Sequence, residues 1–428
     1  MKHIAFTICA KNYVGLAQVL EKSLKHHHPE VEFFILVADE FDQSDSAYGL
    51  PNNAFVAREV LGINDDLWNE MSFKYDLTEF CTSIKPSCFK FLFRNFEPDT
   101  CIYFDPDILV FNSLDSILEI LREKHILLTP HITTIETNYS GNLAESGFLF
   151  TGMFNLGFLG LKRGDVANNM LDWWDKRLED RCFVNRMENF FTDQKWMDFL
   201  PSFFPNEIHI SQDLGLNFAP WNFYERKLIQ YDNMLHVQNR IRGEETNDSL
   251  KFVHFSGFNY NALLNDEVKQ GNIPNLEIFP DLQNIFDTYS TVLKDSTLKD
   301  FIQLNYSYNY FSDGTPISKT YRKLYRRWKE DGMVKDNPFL STGKLFTTLK
   351  KQKVLVENLA SSDKSTVANV GGVERKLILV NKFLALGFKL LGANRFFMLV
   401  RLLRLYSKVE NHLYLLDKSY LREPKIRD

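Results

Sequence analysis

The sequence predicts an α/β fold in which helices flank a mainly parallel sheet, followed by a C-terminal helical region. Short apolar runs at 4–10 and 32–39 enclose an amphipathic stretch at 14–27. A second amphipathic stretch at 77–96 leads into the apolar run 101–104. Because parallel strands need a crossover connection, usually a helix, this alternation favours a parallel sheet.

Further along the chain, apolar and amphipathic segments continue the same pattern. We predict a set of short strands between 126 and 161, a strand closed by Gly164, a helix at 166–179 and a strand at 252–255. These elements complete a predicted α/β domain over residues 1–264.

The rest of the chain changes character twice. Residues 265–354 are predicted to form a helical and irregular extension, and the polar, breaker-rich segment 355–372 a flexible linker. Residues 373–428 are predicted to be a basic amphipathic helical tail, in which Gly387 and Gly392 mark a break between two helices.

Length, charge and cysteine content limit the classes of protein to which this chain can belong. With 428 residues, 44% of them hydrophobic, the chain is long enough for two or three folding units. Its formal charge of -5 argues against a general nucleic-acid binder, which needs a basic surface. Five scattered cysteines without a Cys-x-x-Cys pair indicate a reduced, cytoplasmic setting. We find no uninterrupted apolar run of about 18 residues, so we expect a soluble or peripheral protein.

Asp105 and Asp107 follow the apolar run 101–104 and are the strongest candidates for chemistry. Pro106 between them cannot donate a ladder hydrogen bond, so the strand is expected to end there and leave both aspartates in a loop. Two carboxylates so close together repel each other unless a cation binds between them. Hard oxygen ligands suit Mn²⁺ or Mg²⁺.

This aspartate pair also fits a solvated turn or a phosphatase site. Asp-x-Asp is common in turns, and phosphatases of the haloacid-dehalogenase type also carry it after an apolar strand. That family expects Thr or Val where Leu109 stands here. His254, at the end of another apolar run, is our candidate third metal ligand, although a lone histidine in such a run is more often a core residue.

Several short motifs along residues 4–258 occur together. They are a first strand and loop with Thr7, Ala10, Asn12 and Tyr13, a helix with Lys85, the Asp105-Pro106-Asp107 segment, Phe-Asn-Leu-Gly with Asn155, the pair Asp193-Gln194, and His-Phe-Ser-Gly with His254 and Gly257. In type and order this set resembles the Rossmann-like GT-A-fold nucleotide-sugar transferases, in particular glycosyltransferase family 8.

The resemblance implies a metal-dependent glycosyltransferase of the hexosyltransferase type. It implies a nucleotide-sugar donor, with UDP favoured, a Mn²⁺ or Mg²⁺ site on Asp105, Asp107 and His254, and retention at the anomeric carbon. The first strand and loop, with Gly257, would bind the nucleotide and diphosphate. Members of family 8 commonly carry a lysine shortly after the His-Phe-x-Gly motif, where this chain has 258–261 without one, so phosphate neutralisation is assigned to Lys85.

The same resemblance assigns catalytic or sugar-holding roles to Asp193, Gln194 and Asn155, with Asp193 contacting the reacting sugar face. Asp193 fits a structural role equally well, in which its negative charge stabilises the N-terminus of the helix that follows it. Among the tryptophans, only Trp221 is predicted near the acceptor, because Pro220 places it in an irregular loop.

The sequence leaves open the role of the C-terminal tail and the identity of the acceptor. The basic tail fits either peripheral contact with an anionic membrane or a solvated face packed on the catalytic domain or another subunit. Membrane contact would suit a lipid-linked or glycan acceptor in polysaccharide biosynthesis. A phosphohydrolase and a non-catalytic sugar-binding protein on a transferase fold are the competing functions.

Overall fold

The computed structural model describes residues 1–42, 49–232, 234–243, 248–273, 275–357, 372–423 and 426. The chain forms two compact units, the first from Met1–Ile63 with Leu77–Tyr306 and the second from Asn64–Asp76 with Ser307–Asp428. The predicted boundary at residue 264 thus falls inside the first unit. Of the predicted linker 355–372, residues 358–371 lie outside the described residues.

Strands account for the centre of the first unit. Those described are β1 His3–Cys9, β2 Glu32–Val37, β3 Ala54–Val56, β4 Thr100–Phe104, β5 Ile108–Val110, β6 Ile126–Leu128, β7 Phe158–Lys162, β8 Ile208–Ile210, β9 Arg226–Tyr231, β10 Met234–Asn239 and β11 Phe252–His254. Seven of them form one sheet in the order β3-β2-β1-β4-β7-β6-β8. Only β7 runs antiparallel to its neighbours in that sheet, so the predicted fold class is confirmed.

The described part of the first unit also contains α-helices. They are α1 Val14–His27, α2 Ala57–Val60, α4 Leu77–Ser83, α5 Lys85–Phe96, α6 Asp115–Glu123, α7 Glu145–Thr151, α8 Asp165–Arg181, α9 Leu200–Phe203, α10 Tyr260–Leu263, α11 Gln283–Lys294 and α12 Leu298–Phe301, with α3 Asp65–Lys74 in the second unit. Helix α1 has the predicted bounds, and its apolar face packs into a core shared with β1 and β2.

The stretch 77–96, predicted as one amphipathic segment, is two helices. The break lies at Ile84, and Pro86 stands in the first turn of α5. Proline lacks an N–H and favours the start of a helix rather than its interior, so α5 begins anew here. Lys85 therefore opens α5.

The end of β4 positions the candidate site. All five residues of β4 are buried, and the strand ends before Asp105. The chain then leaves the main sheet as β5, which pairs antiparallel with β11, and Ile108 lies opposite His254. The Phe255 N–H donates to the Asp107 carbonyl at 2.9 Å. This small ladder brings the aspartate loop and His254 to one place at the carboxyl end of β4.

The second unit has its own core. Helices α13 Lys319–Glu330 and α14 Lys344–Lys351 bury aromatic and aliphatic side chains against each other. The buried Arg322 guanidinium donates to the carbonyls of Ser72, Phe73 and Tyr75, and also to that of Tyr308. These hydrogen bonds pair a buried guanidinium with backbone acceptors of the same unit.

The second unit also contains α15 Val373–Leu405 and α16 Ser419–Arg422. The predicted break is present as a kink at Gly392, where φ is 71° and ψ is 164°. By length and composition α15 could cross a membrane. Lys382 and Lys389 interrupt its apolar sequence, so the expectation of no uninterrupted apolar run of about 18 residues holds here as well.

Candidate active site

Asp105, Asp107 and His254 form the centre of the candidate site. One ligand atom of each lies within 4.8 Å of the other two. The His254 Nε2 atom is 3.0 Å from Asp107 Oδ1 and 3.5 Å from Asp105 Oδ2. His254 is buried, whereas both aspartates remain partly exposed. The structure thus brings together the three predicted metal ligands.

The electrostatics of this cluster favour a bound cation. Burial raises the pKa of Asp105, and the negative charge of Asp107 adds to that effect, while Lys85 and His254 oppose it. Burial by itself would lower the pKa of His254, but the attraction of Asp107 and Asp105 outweighs it and raises the pKa. Two carboxylate donors and one imidazole nitrogen fit Mn²⁺, and the carboxylates also fit Mg²⁺.

Two tyrosines fix the carboxylates. Tyr103 donates its hydroxyl proton to Asp105 Oδ1 at 2.5 Å, and Tyr260 donates to Asp107 Oδ2 at 3.3 Å. Burial, and then the neighbouring aspartate, raise the pKa of each phenol well above its usual value, so both keep their protons and act as donors. Hydrogen bonds of this kind orient metal ligands.

Sequence reasoning missed both tyrosines. Tyr103 stands two residues before Asp105, and alternation along a strand places such residues on the same face, so this signal was available. Tyr260 belongs to α10, far along the chain, and no local pattern connects it with Asp107.

Gly157 makes room for the histidine. A Cβ atom at this position would lie 2.3 Å from His254 Cε1 and 2.6 Å from His254 Nδ1. The Gly157 carbonyl accepts a hydrogen bond from the Asp105 N–H at 2.7 Å. The Phe-Asn-Leu-Gly segment therefore needs glycine here because the imidazole packs directly on its backbone.

Gly157→Ala is expected to displace the His254 ring and weaken Mn²⁺ binding by about 10- to 100-fold, the range typical of lost support for a metal ligand. Gly160→Ala in β7, three residues further along, is the matched control, because its Cβ would meet Leu121 Cδ1 at 3.0 Å and Leu127 Cβ at 3.3 Å and lies away from His254. Isothermal titration with Mn²⁺ measures the affinity of each variant and of the unchanged protein. Equal affinities in the two variants would contradict the role given to Gly157.

A buried ion pair lies beside the carboxylates. Lys85 Nζ is 2.5 Å from Asp193 Oδ2 and donates to the Leu156 carbonyl at 2.8 Å. Neither side chain is more than 3% exposed. The same ammonium lies 4.1 Å from the centre of the Tyr103 ring. A continuous set of contacts thus runs from Asp193 through Lys85 and Tyr103 to Asp105.

The ion pair gives Lys85 a partner that the sequence does not predict. The sequence assigned Lys85 to the phosphates, whereas the structure directs its ammonium to Asp193, and a phosphate contact stays a prediction. Asp193 precedes the 3₁₀ helix Gln194–Phe199 but makes no side-chain capping bond there. Thr192 before it has φ of 43°, an uncommon conformation for a β-branched residue.

The predicted sugar-holding residues lie around this pair. Asn155 Oδ1 accepts from the Gly157 N–H and from Asn217 Nδ2, both at 3.1 Å. Gln194 donates through Nε2 to the Thr151 carbonyl at 2.9 Å. Sequence reasoning did not identify Asn217 as the hydrogen-bond partner of Asn155. Its backbone has a positive φ of 53°, a conformation that the sequence does not reveal.

The predicted nucleotide loop follows β1. Thr7 and Ala10 are buried, and Thr7 Oγ1 and Asn12 Oδ1 are buried atoms without a hydrogen-bond partner among the described residues. The Tyr13 ring meets the Tyr260 ring edge-on, with 5.5 Å between centroids. Tyr13 thereby joins the loop to the tyrosine that holds Asp107.

Gly257 and Trp221 border the histidine. Gly257 follows β11 with φ of 73°, a region that favours glycine. The ring of Trp221 is nearly perpendicular to that of His254, with 5.2 Å between centroids, and likewise contacts His131 at 5.4 Å. Trp221 therefore lies beside the cluster of Asp105, Asp107 and His254, while its contact with an acceptor stays a prediction.

The chain is distantly similar to two proteins of Bacillus subtilis. No family model matches the chain. The uncharacterized protein YfnF of Bacillus subtilis (strain 168) is 25% identical over 265 residues, which cover 62% of this chain and 84% of YfnF. YfnD of the same organism is 24% identical over 262 residues, covering 59% of this chain and 76% of YfnD.

Among solved structures, glycosyltransferases are similar in part. Galactosyltransferase LgtC, in complex with donor and acceptor sugar analogs, is 16% identical, with coverage of 69% of this chain and 96% of LgtC and a TM-score of 0.40. GlyE of Streptococcus pneumoniae TIGR4 is 13% identical. The match covers 73% of this chain and 67% of GlyE, with a TM-score of 0.38.

Proposed function

We propose that this chain is a metal-dependent glycosyltransferase that takes a sugar from a nucleotide sugar, with UDP as the favoured nucleotide. The observation that carries the proposal is the meeting of Asp105, Asp107 and His254 beside the buried Lys85–Asp193 pair. Ligands of open α/β sheets bind beyond the carboxyl ends of strands, where this cluster lies. A nucleotide diphosphate and a divalent cation suit its charge.

Asp105, Asp107 and His254 would hold the cation, Mn²⁺ or Mg²⁺. When bound, it would supply positive charge where the departing diphosphate becomes more negative. Tyr103 and Tyr260 keep the two carboxylates in position through the hydrogen bonds described above. Thr7, Asn12 and Tyr13, with the backbone of Ala10, are proposed to contact the nucleotide, and Gly257 to allow close approach of the diphosphate.

Asp193 is proposed to contact the sugar, and Lys85 to position it. The lysine holds one carboxylate oxygen and is itself fixed by the Leu156 carbonyl. Trp174 donates its indole N–H to the Asp193 carbonyl at 3.1 Å, which fixes the backbone as well. Asn155 and Gln194 lie on the adjoining segments and are proposed to hold sugar hydroxyls.

The acceptor and setting are proposed from the chemistry of the resembled family. We propose transfer with retention to a glycan or lipid-linked acceptor in polysaccharide biosynthesis, in the cytoplasm. The five cysteines are free thiols, which accords with a reducing setting.

A thermal-shift screen of nucleotide sugars with and without Mn²⁺ tests the donor proposal. Ligand at about 100 times its Kd stabilises the folded state by about 2.7 kcal/mol, equivalent to a rise in Tm of roughly 5 °C. We expect that rise for one or a few nucleotide sugars only with Mn²⁺, together with slow metal-dependent hydrolysis of the same donor.

Two variants separate this function from its competitors. The double change Asp105→Ala and Asp107→Ala should remove the shift, whereas Asp172→Ala, whose side chain is 73% exposed, should keep it. Phosphate release from simple monoesters without nucleotide preference would indicate a phosphohydrolase instead. Sugar binding unaffected by the double change would indicate a non-catalytic sugar-binding protein.

A further inference from the structure

Helix α15 exposes apolar side chains in every direction. None of its residues is buried among the described parts of the chain. Leu377, Ile378, Leu379 and Val380 are consecutive and between 47% and 57% exposed, so together they cover the circumference of the helix. A helix that packs on one protein surface needs a single apolar stripe, whereas one that is apolar nearly all round suits a hydrocarbon environment.

The charged residues of α15 are almost all of one sign. It contains seven Lys or Arg residues and a single acid, Glu374, although the whole chain has a net charge of -5. Three of the basic residues, Arg375, Lys382 and Lys389, are spaced by seven. Seven residues are nearly two helical turns, so these side chains project along one line with a drift of about 20° per repeat.

A second line of residues lies opposite. Leu377, Leu384 and Leu391 repeat at the same spacing, two positions after each basic residue, which places them about 200° around the helix. They are between 40% and 47% exposed. Helix α15 therefore has a narrow basic line and a broad apolar surface centred on these leucines.

The position of Lys382 favours one orientation in a bilayer. From Val373 to the kink at Gly392, the first arm is about 28 Å long at 1.5 Å per residue, close to the thickness of a hydrocarbon core. If it spanned the bilayer, Lys382 would lie at the middle, where a charged side chain is strongly disfavoured. If it lies in the membrane plane, all three basic side chains reach the headgroups together.

The kink is built into the structure. The Phe388 ring contacts the rings of Phe396 and Phe397 across Gly392, with centroids 5.4 Å and 6.1 Å apart. A Cβ at Gly387 would lie 3.6 Å from Phe396 Cε2. These contacts hold the two arms in a defined bend, and at about 20 Å the second arm is too short to span a bilayer.

We infer that α15 lies in the plane of an anionic membrane surface, with Arg375, Lys382 and Lys389 facing the lipid phosphates and its leucine line in the acyl chains. The partner is a bilayer that contains acidic phospholipid. This inference does not depend on the proposed transfer reaction, because it rests on α15 alone.

Flotation of the full chain with vesicles tests the inference. We expect binding to phosphatidylcholine vesicles with about 30% phosphatidylglycerol, and much weaker binding to phosphatidylcholine alone or in about 0.5 M NaCl. Replacing all three basic residues by Gln should lower the partition coefficient about 100-fold, near fivefold for each.

The matched control removes three exposed lysines of the first unit, through Lys22→Gln, Lys227→Gln and Lys269→Gln. It should leave binding within about threefold, since these residues lie outside the proposed surface. Equal losses in the two triple variants, or binding independent of acidic lipid, would overturn the inference.

Depth measurements separate an in-plane helix from a spanning one. Tryptophan placed singly at Leu377, Leu384 and Leu391 should be quenched by brominated lipids at one common depth, after subtraction of the signal of the unchanged chain. A much deeper position at 384 than at 377 and 391 would indicate a span and contradict our orientation. Dimerisation of the lipid-free chain through α15, with no vesicle binding, would assign the surface to a second copy.

Discussion

Replacement of Asp107 by Asn is expected to reduce sugar transfer by about 1,000-fold or more, the largest effect we predict on activity. Asp107 Oδ1 is 3.0 Å from His254 Nε2, and its other oxygen accepts from Tyr260. The amide keeps the shape but removes the charge that would hold a cation next to the diphosphate. Donor turnover, measured at saturating Mn²⁺, gives the loss, and titration with Mn²⁺ gives the change in affinity.

A companion variant distinguishes a functional carboxylate from a structural one. Because burial raises the pKa of Asp105, its charged form is disfavoured in the folded protein. Asp105→Asn should therefore raise the Tm of the metal-free protein by a few degrees while it abolishes Mn²⁺ binding. If Asp107→Asn and Asp105→Asn both retain Mn²⁺ affinity and transfer, the proposed metal site is wrong.

The second large effect concerns stability. Lys85→Met should lower the free energy of unfolding by about 3–5 kcal/mol, because it leaves Asp193 buried without its partner. It also removes the donor to the Leu156 carbonyl. Urea denaturation measures the change. Lys90→Met on the same helix is the control, since Lys90 pairs at the surface and should cost less than about 1 kcal/mol.

The double variant Lys85→Met with Asp193→Leu tests why the pair is present. Replacing both charges by apolar side chains should recover most of the lost stability, since buried pairs rarely exceed an apolar contact in net stabilisation. Transfer should stay undetectable if Asp193 contacts the sugar. Recovery of transfer together with stability would show that the pair only supports the fold.

Local periodicity was enough to predict much of the first unit. Helix α1 follows from its apolar repeat, and β4 from an apolar run that Pro106 ends. Asp105 and Asp107 were predicted as a cation site because two carboxylates follow an apolar run, whereas His254 was assigned to that site through the resemblance carried by the motifs along 4–258. For the helix and the strand, the decisive information lies within a few residues of sequence, whereas for the site it lies in the order of the motifs along 4–258.

What could not be predicted depends on contacts distant in sequence. Lys85 and Asp193 are 108 residues apart, so their pairing is absent from any local pattern. Nor does an apolar run show that β7 enters the sheet antiparallel between β4 and β6. Residues 64–76 belong to the second unit through contacts of this kind, among them the hydrogen bond from Arg322 to the Ser72 carbonyl, 250 residues away in sequence.

The pairing of β5 with β11 has a consequence for the order of folding. Asp107 and Tyr260 are 153 residues apart, yet they meet at the same carboxylate. A chain still emerging from the ribosome has both aspartates long before it has His254 or Tyr260. High-affinity cation binding should therefore first appear once β11 and α10 are in place, so a metal ion would stabilise fragments that extend past Leu263 and none that end before His254.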